Sequence, residues 1–141
     1  MPSSVFLLLL LLAVPVASLT RFEFSGQVNC RLNRPFAYRI SVLEEDFLHA
    51  NVLSVGQSEY VVESPHDYNI TASASKDGFS PEFEIGFEVL HSCNSEGPYR
   101  VLAARFHVGD YQIMNGVYYV TFDLDVTDIG KPIFQADKEH M

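Results

Sequence analysis

The sequence predicts an all-β protein, an antiparallel β-sandwich of about seven strands held by one disulfide, and three observations predict it. Apolar residues recur at every second position through much of the chain, which places them on one face of a strand. Clusters of Gly, Pro, Asn, Asp and Ser separate those runs at short intervals. No segment carries the 3.6-residue period of a convincing amphipathic helix. With no helix to cover a sheet, such strands bury their apolar faces by packing two sheets face to face.

The first element along the chain is a targeting segment rather than a strand. Residues 5–13 form an apolar run within the roughly 7–15 of a secretory signal core and short of the ~20 of a membrane span. The small residues Ala17 and Ser18 follow, and cleavage is expected after Ser18, because a cut after Ala17 would place Pro15 three positions upstream of it. Residues 1–18 are therefore read as a signal peptide and 19–141 as one domain, about 120 residues being enough for one core and too few for two. No later segment is apolar enough to span a bilayer, so no integral membrane segment is expected after cleavage.

The strands follow in order. Phe22, Phe24, Val28 and Cys30 alternate with Glu23, Ser25, Gln27 and Asn29, giving a first strand with a dry and a wet face. A turn at Asn33-Arg-Pro35 leads into a second over 38–43, and residues 44–50 are the one helix candidate, a turn or two at most. Less regular strands are expected over 52–62 and 70–74, divided by the turn at Ser64-Pro65. After Lys76-Asp-Gly78, the residues Phe83, Ile85, Phe87 and Val89 alternate with Glu82, Glu84, Gly86 and Glu88. Turn signals at 94–98 and Gly109-Asp110 bracket a strand over 102–108. Asn115-Gly116 tolerates positive φ and reads as a hairpin turn into the last strand, whose dry face is Tyr118, Val120, Phe122, Leu124 and Val126.

The net charge of -9 lies wholly in the mature part, since residues 1–18 carry no charged side chain. An acidic chain repels phosphate backbones, which excludes nucleic acid as a partner class. Cys30 and Cys93 are the only thiols. Both fall in the dry phase of their strands, and an exported chain meets an oxidising compartment, so a disulfide between them is expected. The competing use, a metal held by Cys30, Cys93 and His91, has no paired motif and no evident fourth ligand, so neither metal nor cofactor is expected.

Several of these segments together resemble a family. Ser25-Gly-Gln-Val-Asn-Cys30, the Pro35 turn into a strand ending Glu44-Glu-Asp46, Lys76-Asp-Gly-Phe79 and Glu88-Val-Leu-His-Ser-Cys-Asn94 are similar to the secreted transthyretin-like proteins of nematodes. The resemblance spans about 24–126; the family's Cys-x-Gly-x-Pro turn departs here to Cys30-Arg-Leu-Asn-Arg-Pro35. It implies a transthyretin-like sandwich, an extracellular location, often at the cell surface, and no catalytic activity. Hydroxyisourate hydrolases share that fold, but their Tyr-Arg-Gly-Ser terminus is absent, the chain ending Lys138-Glu-His-Met141.

The residues themselves also speak against catalysis. No serine sits in a Gly-x-Ser-x-Gly elbow, and His49, His66, His91, His107 and His140 show no zinc-protease spacing. His91 reads as a packed residue beside the disulfide, and His107 as surface. Asp123, Asp125 and Asp128 are a calcium candidate without the Asp-x-Asp-x-Asp-Gly loop, more simply a solvated face. Asn69-Ile-Thr71 is an acceptor triplet for N-linked glycan beyond an exposed turn. Arg31, Arg34 and Arg39 form a basic cluster that an anionic surface could meet. The expected function is a secreted, extracellular binding or signalling module that recognises a protein or cell-surface receptor through loops such as 33–35 and 94–98. The alternative is an extracellular carrier of a small apolar ligand, and homo-oligomers through sheet edges stay open.

Overall fold

A computed structural model of the chain describes residues 18–46, 50–75 and 81–133. The strands are β1 (Leu19–Asn29), β2 (Phe36–Glu45), β3 (Ala50–Val55), β4 (Glu59–Val61), β5 (His66–Ser75), β6 (Glu82–His91), β7 (Leu102–Gln112), β8 (Gly116–Thr121), β9 (Leu124–Asp125) and β10 (Lys131–Pro132). Seven are six residues or longer, and β4, β9 and β10 have three or two. They form two sheets. One has the order β5-β1-β8, with β9 also on β1; the other runs β10-β7-β6-β2-β3, with β4 also on β2.

The alternation read from sequence builds the layer between the sheets. Phe22, Phe24 and Val28 of β1 are buried, as are Phe83, Ile85, Phe87 and Val89 of β6. Phe22 stacks on Phe24 with ring centroids 5.6 Å apart, and both rings cross to the other sheet, Phe24 meeting Phe87 edge-on at 5.1 Å and Phe22 meeting Phe83 at 6.3 Å. Phe87 also takes edge contacts from Tyr68 and Phe122. Truncating a ring so placed costs about 3–5 kcal/mol, so the interlocked phenylalanines are what hold the sheets together.

Four local expectations are corrected. The sheet built on β1 is mixed: β5 is antiparallel to it, but β8 and β9 run parallel. The cause is the connection over 113–115, which carries the chain from one sheet to the other, so Asn115-Gly116 makes no hairpin and β8 arrives beside β1 instead of β7. Gly109-Asp110 is no turn but lies within β7. Gly86 pairs with His107 and Ile85 with Gly109, leaving Val108 as an extra residue; glycine in a strand marks such a bulge as readily as a turn. The helix candidate is a hairpin flank, Glu44 pairing with Asn51 and Glu45 with Ala50, because cross-strand pairing overrides local helix preference. The expected strand over 52–62 is split into β3 and β4, with Leu53 a further bulge and Gly56 donating to Ile40 O at 2.8 Å.

Residues 1–17 of the expected signal peptide, residues 47–49 and the Lys76-Asp-Gly-Phe79 element lie outside the described residues, as does His140. Among the described residues no helix is long and apolar enough to cross a membrane.

Candidate functional site

Cys30 follows β1 and Cys93 follows β6, and the two form a disulfide with Cα atoms 5.9 Å apart, closing 63 residues of sequence. Both are buried because each continues the inward phase of its strand. His91, only 1% exposed, sits two residues before Cys93. Its Nδ1 accepts the Cys93 backbone N–H at 3.1 Å, which leaves Nε2 to carry the proton and donate to Ile129 O at 2.7 Å. Burial lowers its pKa from the ordinary histidine value, against the opposing pull of the Ile129 bond and Asp128. A neutral imidazole with both nitrogens engaged is a strut between strand and loop. With both sulfurs in the disulfide, the thiolate metal arrangement of Cys30, Cys93 and His91 is not formed.

The three aspartates considered for calcium are each engaged separately. Asp123 accepts Gln27 N at 2.9 Å. Asp125 accepts Thr127 N at 3.1 Å and Arg31 Nε at 2.8 Å. Desolvation acts upward on the Asp125 carboxyl, but hydrogen bonds from Thr127 and Arg31 hold it below the usual carboxylate range. Asp128 accepts Ser95 N at 2.6 Å and Ser95 Oγ at 2.5 Å, bonds that depress its carboxyl, with Arg34 and Arg31 adding to the effect. Among the described residues no group of three His, Cys, Asp or Glu side chains is placed to hold a metal ion.

The two expected recognition loops lie at the same end of the sandwich, near Asp128. Asp128 ties the start of loop 94–98, while Arg31 and Arg34 reach its field from the turn before Pro35. Asn94 shapes the loop from inside, donating to Arg100 O at 2.7 Å and accepting Glu96 N at 3.0 Å. The basic cluster is divided: Arg31 and Arg34 belong to this end, while Arg39 lies on β2 opposite Leu90.

Asn69 stands on β5 with its side chain exposed, opposite Ser25 of β1, so the acceptor triplet lies within a strand on its outward phase. It borders a cavity of about 110 Å³ between the sheets that Tyr38, Glu59 and Tyr68 also line. Tyr38 Oη and His66 Nδ1 are hydrogen-bonded at 2.8 Å, and burial, then Glu59, pushes the phenol up to about 12. Tyr68 donates to Phe122 O at 2.5 Å, its phenol raised by burial and further by Asp123 and Tyr38.

The sequence reading missed the outward face of the six-stranded sheet at β3 and β4. Residues opposite one another in a ladder share a face. Val52 pairs with Leu43, Val55 with Ser41 and Tyr60 with Ala37, so all three point away from the core, and Val62 continues the phase of Tyr60. They are 60, 56, 72 and 66% exposed, respectively. The signal was present as apolar residues in both phases of 52–62, which the bulge at Leu53 and the break at Gly56 made unreadable as a face.

A family described as "Caenorhabditis elegans protein of unknown function (DUF870)" matches residues 25–135. No curated protein matches the chain, and no solved structure does. The chain belongs to the DUF870 family.

Proposed function

We propose that this chain is a secreted, transthyretin-like β-sandwich that works as an extracellular binding or signalling module, recognising a protein or cell-surface receptor without catalysis. The observation that carries the reading is the exposed stripe Val52, Val55, Tyr60 and Val62 on one face of a disulfide-braced sheet. Tyrosine is enriched in the centres of interfaces, and short β-branched side chains lose little rotamer freedom when a partner covers them. The chain's acidity favours a protein over a nucleic acid partner. Secretion is supported by the apolar N-terminal run and the disulfide, and the transthyretin-like fold by the two-sheet core and the placement of Cys30, His91 and Cys93 at one end. Nothing in the chemistry of the buried histidine asks for a substrate, because both ring nitrogens are engaged. Interior carriage of a ligand is disfavoured by phenylalanine rings that meet across the two sheets.

The test is saturable binding of the tagged mature protein to intact cells of the source animal, with the double variant Tyr60→Ser/Val62→Ser alongside. Saturation that weakens about tenfold in the variant, as for an interface anchor, supports the reading. Unsaturable binding, or identical binding by the folded variant, overturns it.

A further inference from the structure

The outward side of β2 and β6 also carries a cavity of about 220 Å³. Ala37 and Arg39 of β2, Leu90 of β6 and Ser92 just beyond it line the cavity, with Ser58 from the β3–β4 connection and Val101 ahead of β7. Its backbone groups are already served where Ala37 N donates to Ser92 Oγ at 2.9 Å and Ser92 N to Ala37 O at 3.0 Å. One donor is not: Arg39 Nε is buried and has no hydrogen-bond partner. A buried donor left unmade is costly, the more so on a cation, and such a group in a folded protein calls for an acceptor. Glu88, opposite the neighbouring Ser41, is turned to Arg105 instead, its Oε2 accepting Arg105 Nε at 3.1 Å and pairing with the Arg105 terminal nitrogen at 3.0 Å.

We propose that this cavity binds a carboxylate carrying a short apolar chain, the carboxylate taken by the Arg39 guanidinium and the alkyl part laid against Ala37, Leu90 and Val101. A guanidinium fork matches the two oxygens of a carboxylate, and a single cation among alkyl groups suits one negative charge better than the two of a phosphate. The cavity is smaller than the roughly 300–1,000 Å³ that holds drug-sized ligands, which limits the occupant to a few carbons. A free short-chain acid and the chain terminus of a bound protein share this chemistry. Binding of the free acid stands independently of the surface-recognition reading, because it needs no partner.

The experiment titrates the mature, disulfide-intact protein with hexanoate and hexanamide, and with N-acetyl-Ala-Leu as free acid and as amide, following the NMR signals of Leu90 and Val101. Saturable shifts with an acid, and binding about tenfold or more weaker for its amide, are the expected result for a charge-assisted hydrogen bond. Response to hexanoate alone assigns a free acid, and response to the dipeptide acid alone assigns a protein terminus. Arg39→Gln abolishes the preference for acid over amide, and Arg39→Lys retains part of it. Equal affinity for acid and amide, no saturable shift with either acid, or an undiminished preference in folded Arg39→Gln overturns the proposal. Should Arg39→Gln fail to fold, the acid-against-amide comparison in the unaltered protein decides.

Discussion

Replacing His91 with Gln tests whether this imidazole is a neutral strut, and pH supplies the handle. Its native pKa is lowered, chiefly by burial, while in the unfolded chain it returns to about 6.5. Above that value both states are neutral and the full contribution of its two hydrogen bonds is present. Below it the unfolded chain takes up a proton that the native state resists, so stability is lost as pH falls through 6.5 toward the native value. If the native ring stays neutral at pH 5, the loss reaches RT ln(1 + 10^1.5), a ceiling of about 2 kcal/mol, or on the order of 5–10 °C in melting temperature for a domain of this size. Asp125 and Asp128 stay ionised in that window, since both carboxyls are held below the ordinary range, and they are common to both proteins. Thermal melts at pH 7.5 and 5.0 are the assay. The variant is expected to be about 1–3 kcal/mol less stable at pH 7.5, having disturbed two buried bonds, and the gap should narrow at pH 5. A gap that is constant or wider at pH 5 would refute the neutral-strut argument, because it would mean that the ring is not resisting protonation.

Three further outcomes follow from the packing. The double variant Cys30→Ala/Cys93→Ala should lose about 4 kcal/mol in denaturant melts from the freed loop of 63 residues, and a loss under about 1 kcal/mol would show that the disulfide constrains little. Gly26→Ala should destabilise by about 2–3 kcal/mol and remove exchange protection from the Phe122 amide, since a Cβ there would stand 2.1 Å from Phe122 O where Phe122 N bonds Ser25 O; an unchanged melt would contradict that close approach. Glycosidase treatment of protein secreted from animal cells should lower its mass through Asn69, and an unshifted mass would mean that the exposed triplet is unused.

Where one face of a strand is dry and the other wet, the residues alone were enough: Phe22 to Cys30 and Phe83 to Val89 lie as their alternation predicts. The pairing of Cys30 with Cys93 followed from the same phase argument. What could not be read was pairing direction and irregularity. Asn115-Gly116 marks a reversal, yet whether the chain returns to the same sheet or crosses to the other depends on contacts far away in sequence, here β8 with β1. Gly109 and Leu53 sit at bulges that shift the alternation by one, so Tyr111 packs inward out of step with Val108, and Val52 and Val55 share a face at a spacing no simple period gives. The candidate surface was hidden for that reason, while of the loops expected to carry recognition 94–98 is bonded to Asp128 through Ser95 and the turn before Pro35 acts on that carboxyl only through the charges of Arg34 and Arg31. Arg39 shows the same limit: a charged residue in a strand reads as solvated, and its buried Nε becomes visible only once Leu90 and Val101 are placed around it.

The most direct measurement of the central claim places a photo-crosslinking residue at Tyr60 in one protein and at Tyr119, exposed on the opposite sheet, in another, and irradiates each on intact cells. The account predicts a discrete covalent adduct from Tyr60 that excess unlabelled protein competes away, and none from Tyr119. An adduct from Tyr119 alone, or from neither position, would contradict the assignment of recognition to the outward face of the six-stranded sheet.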